Sequence, residues 1–60
     1  MLDALRAQPI ASALIWLRGR DGAMYAVRRL TAHIWHIEHN GHPIRAGSAV
    51  QVAQYVKEVL

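Results

Sequence analysis

Residues Ala23 to His39 read AMYAVRRLTAHIWHIEH, the longest periodic segment of this chain. Val27, Leu30, Ile34 and Ile37 recur at i, i+3, i+7 and i+10, an apolar stripe at the period of a helix. The spacing predicts one helix over residues 23–39. Asp21 is placed to cap its start, and Asn40-Gly41 to stop it, with glycine as the left-handed residue and Pro43 barring continuation. With the stripe turned inward, Tyr25, Arg29, Ala32 and His36 face outward. Arg28 then lies on one flank and His33 on the other.

Upstream, Leu2 to Ala7 reads as a short helix, with Asp3 near its start where a negative charge suits the helix dipole. Pro9 suits the first turn of a second helix running to about Arg18. Ile10, Ala13, Leu14 and Leu17 would form its inner face, leaving Ile15 and Trp16 pointing elsewhere. Arg18 to Gly22 reads as a turn. Downstream of the central segment, His42 to Arg45 reads as a short strand. Ala49 to Leu60 has two readings. Its valines and Tyr55 suit a strand. The same segment lines up Ala49, Val52, Tyr55, Val56 and Val59 as a helical stripe, and Ser48 with Gln51 would form a capping box. The pattern leaves both open.

Sixty residues accommodate one domain, spanning 1–60. A chain this short buries only about 60% of the surface it exposes when unfolded. It has no cysteine, so disulfides and thiolate zinc sites are excluded, and association with a second chain becomes an attractive source of stability. An apolar fraction of 53% argues against disorder. The nearly apolar run from Ile10 to Leu17 is too short for a membrane span, which takes about 20 residues. No secretory signal pattern opens the chain, so the expected location is cytoplasmic, and nucleoid-associated if the partner is DNA. Seven basic residues oppose four acidic ones, for a formal charge of +3. Six of the seven are arginine, whose planar fork matches phosphate and guanine edges.

The run Arg28-Arg29-Leu30-Thr31-Ala32-His33-Ile34, continuing through Trp35-His36-Ile37 to Gly41-His42-Pro43-Ile44, resembles the recognition helix and wing entry of winged helix-turn-helix DNA-binding domains. Small phage-type and bacterial transcriptional regulators look similar here, as do response-regulator output domains. Val52-Ala53-Gln54-Tyr55-Val56 is similar to the return strand of such wings. The resemblance implies a small α+β fold: three helices and a C-terminal two-stranded wing hairpin, or a C-terminal helix in place of the second strand. It implies sequence-specific binding of double-stranded DNA by a transcriptional regulator, with the 23–39 helix in the major groove. Arg20, Tyr25, Arg28, Arg29, His33, His36 and Arg45 are the expected DNA-binding residues. One small module reads few base pairs, so a homodimer or tandem binding on DNA is expected, with Trp16 or Trp35 as a candidate dimer contact.

The histidines His33, His36, His39 and His42 step by three residues. Such steps drift about 60° each around a helix, so one metal would reach two of them at most, and neither metal nor cofactor is expected. The hydroxyl residues Ser12, Thr31 and Ser48 have no oriented histidine–carboxylate partner, and no phosphate-binding glycine loop follows a strand. An enzyme is not expected. The rival to DNA binding is a protein-interaction module, or a small inhibitor of a host enzyme. Charge geometry separates the two: Arg20, Arg28, Arg29 and Arg45 gathered on one face favour DNA, whereas scattered arginines beside an exposed apolar patch favour protein.

Overall fold

A computed structural model of the chain describes residues 1–7 and 14–60. The order of elements is α1 (Leu2–Ala7), β1 (Leu14–Arg18), β2 (Met24–Arg29), β3 (Trp35–His39), β4 (His42–Gly47) and α2 (Ala49–Glu58). The strands form one antiparallel sheet in the order β1-β2-β3-β4, a meander in which each strand pairs with its neighbour in sequence. Among the described residues, three helices with a two-stranded wing are not found. The architecture is a four-stranded sheet with two short helices, a different α+β fold from the winged helix-turn-helix.

The segment 23–39 is two strands, not a helix. Its residues also alternate at a period of two: Tyr25 and Val27 in β2, and Trp35 and Ile37 in β3, all point to one side and are buried. Two members of the helical stripe, Leu30 and Ile34, lie at the β2–β3 turn and are 38% and 40% exposed. Thr31 organises that turn. Its hydroxyl accepts from the backbone N–H of His33 (3.2 Å) and of Ile34 (3.1 Å), a local bond that competes with a helical ladder.

Asn40-Gly41 is a hairpin turn rather than a helix stop. Both residues have positive φ, 52° and 80°, and they join His39 directly to His42 across the ladder. This is the two-residue connection whose twist matches that of paired strands, and asparagine–glycine is its preferred sequence. Asp21 caps a turn instead of a helix: its carboxylate accepts from the Ala23 N–H at 3.0 Å, beside Gly22 at φ 86°. Gly19 is required in the same turn, because a Cβ there would meet the Tyr25 ring at 2.7 Å.

The expected second helix is also corrected. Its first part, residues 8–13, lies outside the described residues, and Leu14–Arg18 is strand β1. Alternation places Ile15 and Leu17 towards the helices and Leu14, Trp16 and Arg18 on the opposite face. At the C-terminus the strand reading gives way to helix α2. Ser48 accepts from the Gln51 N–H (3.2 Å), and Gln51 Oε1 accepts from the Ser48 N–H (2.9 Å), closing the capping box. The expected N-terminal helix forms as α1.

Both helices cover the same face of the sheet. Leu5, Val27, Ile37 and Val52 are almost wholly buried there, joined by Tyr25, Trp35 and Ala49. The Trp35 indole N–H donates to the Leu5 carbonyl at 3.2 Å, fastening α1 to β3. Burial of each large side chain contributes roughly 1.5–3 kcal/mol. The core is therefore one layer thick, between the sheet and its helices.

Candidate docking face

Among the described residues, no helix lies on the other face of the sheet. Strand register sets its side chains in rows. One row runs Leu14, Arg28, His36 and Ala46; the next runs Trp16, Ala26, Glu38 and Pro43; Arg18 pairs with Met24 in a third. A bulge between Ile37 and Glu38 advances β4 by one residue, which brings Pro43 opposite Glu38.

Trp16 is the most prominent group on this face, at 63% exposure, with Leu14 and Met24 also open to solvent. Beside it the cross-strand residue is Ala26, small enough to leave a depression. A hollow of about 320 Å³ results, walled by Leu14, Trp16, Met24, Arg28 and Glu38, floored by Ala26 and closed at one end by the Asn40-Gly41 turn. The charges lie at the edge of this apolar ground. Glu38 Oε2 receives the Arg28 Nε–H at 3.4 Å and lies 2.5 Å from His36 Nε2. All three side chains are part-buried, so Glu38 answers both basic neighbours at once.

Of the expected DNA-binding residues, only Arg28 and His36 meet here. Arg20 belongs to the β1–β2 turn. Its guanidinium donates to the Lys57 carbonyl and its backbone N–H to Leu60 O, so it ties that turn to the end of α2. Arg29 lies on the helix-covered side, its guanidinium 4.7 Å from the Trp35 ring centre and donating to the carbonyls of Arg6, Thr31 and Ala32. Arg45 sits over the Tyr55 ring at 5.5 Å, also on the helix side. Tyr25 is buried in the core with its ring 4.9 Å from that of His39, and its hydroxyl donates to Asp21 at 3.4 Å. Burial pushes the Tyr25 phenol above its ordinary value, and the Asp21 carboxylate adds to the shift. His33 is exposed at the β2–β3 turn. The cations expected to line one groove are thus spread over the turns and both faces.

The strand period exposes what the helical reading hid. Leu14, Met24 and Glu38 were not singled out as binding residues, yet they share a face with Trp16. Alternation in LIWLR and in MYAVRR, with Asn40-Gly41 as a hairpin turn, is the signal that finds them. Among the described residues, no three of the histidine, aspartate and glutamate side chains gather as a metal site would require, and no helix is long and apolar enough to cross a membrane. Comparison with family models, curated proteins and solved structures finds no match to this chain.

Proposed function

We propose that this chain is a small protein-interaction module that docks another protein surface on the open face of its sheet. The observation that carries the reading is Trp16, exposed at the centre of an apolar patch with Leu14 and Met24 and flanked by a hollow. Tryptophan is the side chain most enriched among residues that dominate binding energy, because it brings a large rigid area at little entropic cost. A contiguous exposed apolar patch on so small a domain marks a place where water is to be displaced. The Arg28–Glu38–His36 group beside it supplies a polar rim, as interfaces with an apolar centre have.

A second reading, a small DNA-binding regulator, is supported by the formal charge of +3 and by the arginine-rich composition. The scattering of Arg20, Arg28, Arg29 and Arg45 over different parts of the surface favours the protein reading over it.

The test places a photo-crosslinking residue at Met24 on the open face, or at Val50 on α2 as a control, in cells that express the chain. Met24 should give a discrete protein adduct and Val50 should not; equal adducts, or none from either, reject the docking face. A duplex titration gives the other arm. A log–log salt slope of about −4 to −5, from four to six phosphate contacts, would establish the DNA reading instead.

A further inference from the structure

We propose that the outer edge of β1 is an interaction edge, and that it pairs with the β1 of a second copy, antiparallel about a two-fold axis, so that two sheets join into one. The inference goes beyond the docking-face reading and does not depend on it, because it uses an edge of the sheet and leaves the open face open.

The two edges of the sheet, β1 and β4, are built differently. β4 carries the devices that keep an edge from pairing. Pro43 has no N–H to give, the bulge at Ile37 and Glu38 breaks the row, and Arg45 puts a charge in the middle of the strand. β1 reads LIWLR, with no proline, glycine or bulge, and its one charge stands at its end. Such an edge is a template for another strand.

The backbone sets how a copy would fit. The Gly19 N–H donates to the Ala23 carbonyl at 2.8 Å, which makes 19 and 23 a bonded pair at the mouth of the β1–β2 hairpin. Bonded and non-bonded pairs alternate along an antiparallel ladder, so Leu17–Tyr25 and Ile15–Val27 are bonded as well. Leu14, Trp16 and Arg18 therefore turn their backbone N–H and C=O groups outward, and among the described residues none partners them. Opposed residues in an antiparallel pair share a face, so the two-fold axis must pass through an opposed pair of identical residues. Full overlap of the strand puts it at Trp16. The outward groups then meet one another: Trp16 with the partner's Trp16, and Leu14 with the partner's Arg18, each pair exchanging both backbone bonds.

The side chains agree with that register. On the covered side Ile15 and Leu17 are only half-buried, although Val27 and Tyr25 beside them are 1% and 7% exposed, so the core runs out at β1. Ile15 opposite the partner's Leu17 extends it. On the open side the two Trp16 rings form a cross-strand aromatic pair. Arg18 lies beside the partner's Leu14, and the two Arg18 side chains stand at opposite ends of the seam, so like charges do not meet.

The experiment is analytical ultracentrifugation of the purified chain from about 1 to 500 μM, the range of a small reversible interface. Amide hydrogen exchange is followed by NMR at both ends of that range. The mass should rise from 6.7 kDa towards twice that value. The amides of Leu14, Trp16 and Arg18 should exchange at least about tenfold more slowly in the concentrated sample, while those of Ile15 and Leu17, bonded to β2, are protected in both. Trp16→Lys and Trp16→Glu each set like charges opposite each other on the axis and should lower self-association at least about tenfold; mixed, the two should associate with each other more tightly than either does with itself. Trp16 is exposed, so both should keep the far-UV circular dichroism of the parent, and exchange in the parent decides the matter even where a variant misfolds. A single-chain mass up to the highest concentration overturns the proposal. So does association that leaves the three outward amides exchanging as before, or folded charged variants that self-associate like the parent or mix no more tightly. If the mass stays at one chain while a crosslinker at Met24 captures a different protein, the edge fails and the docking face stands. A dimer with slowed outward amides and no such adduct leaves the edge and removes the docking face.

Discussion

The two faces of the sheet are built from the same four strands and the same alternation, yet they have opposite fates. On the covered face Trp35 is 4% exposed, its indole N–H bonded to the Leu5 carbonyl and its ring under the Arg29 guanidinium. On the open face Trp16 is 63% exposed, and among the described residues no helix lies over it. Among the described residues there is enough helix to cover one side. α1 and α2 both go to the side where Leu5 and Val52 complete a core with Val27 and Ile37, and Leu14, Trp16 and Met24 on the other side stay exposed. Folding consumes one face and, among the described residues, leaves the apolar groups of the other exposed, in a chain of 60 residues that has little surface to bury.

That contrast makes a graded set of expectations. Ile37→Ala, at a fully buried site on the covered face, should cost roughly 2–5 kcal/mol and leave the chain largely unfolded, as chemical denaturation would report. Ile34→Ala tests the same comparison from the other side. The helical reading makes Ile34 core, but it is 40% exposed at a turn, so its removal should cost less than about 1 kcal/mol. Equal losses for the two would restore the helical faces and break the comparison.

Ser48→Ala sharpens it further. The hydroxyl begins the helix that covers the core, so its loss should cost about 0.5–2 kcal/mol, read as a lower denaturation midpoint with an unchanged slope. Trp16→Ser should move the stability of the monomer by no more than about 0.5 kcal/mol, measured in dilute solution, because an exposed side chain gives little to the fold. A large loss there would show that the open face contributes to folding.

The smallest effect is expected in alkali. The Tyr25 phenol is raised, chiefly by burial. The unfolded chain therefore releases this proton at lower pH than the folded chain does. The contribution of Tyr25 is complete below the ordinary phenol value of about 10 and is lost as pH climbs through the higher folded value. Stability should decline over that window, and Tyr25→Phe should flatten the decline. A slope equal in both proteins would place the alkaline loss elsewhere.

How much was legible differs from element to element. The capping box at Ser48 and Gln51 was written in two residues, because a cap is made by side chains three positions apart and needs nothing distant. The short α1 was legible from equally local signals, Asp3 in its first turn and Leu2 and Leu5 three positions apart. The 23–39 segment was not, because its apolar residues satisfy both periods: Val27 and Ile37 belong to the helical stripe and to the buried face of the sheet alike. Asn40-Gly41 carried the deciding information and was ambiguous by itself, since positive φ ends a helix as readily as it turns a hairpin. The candidate site was obscured by the same choice of period. Reading a helix put Arg28, Arg29 and His36 on one outer surface; the strand period sends Arg29 to the opposite face and brings Leu14, Trp16, Met24 and Glu38 beside Arg28 and His36.

The sequence by itself determined the quantities that belong to single residues and near neighbours: no disulfides, a basic charge, the capped C-terminal helix as one of two options, and the backbone breaks at Gly19 to Gly22 and at Asn40-Gly41, but not the turn at Leu30 to Ile34. Tertiary structure decided which period each apolar residue obeys. A strand has no hydrogen bonds of its own, and β2 exists only because β1 and β3 flank it to accept and donate along both edges. It also decided which side of the sheet the helices cover, and so which tryptophan became core and which was left at the surface.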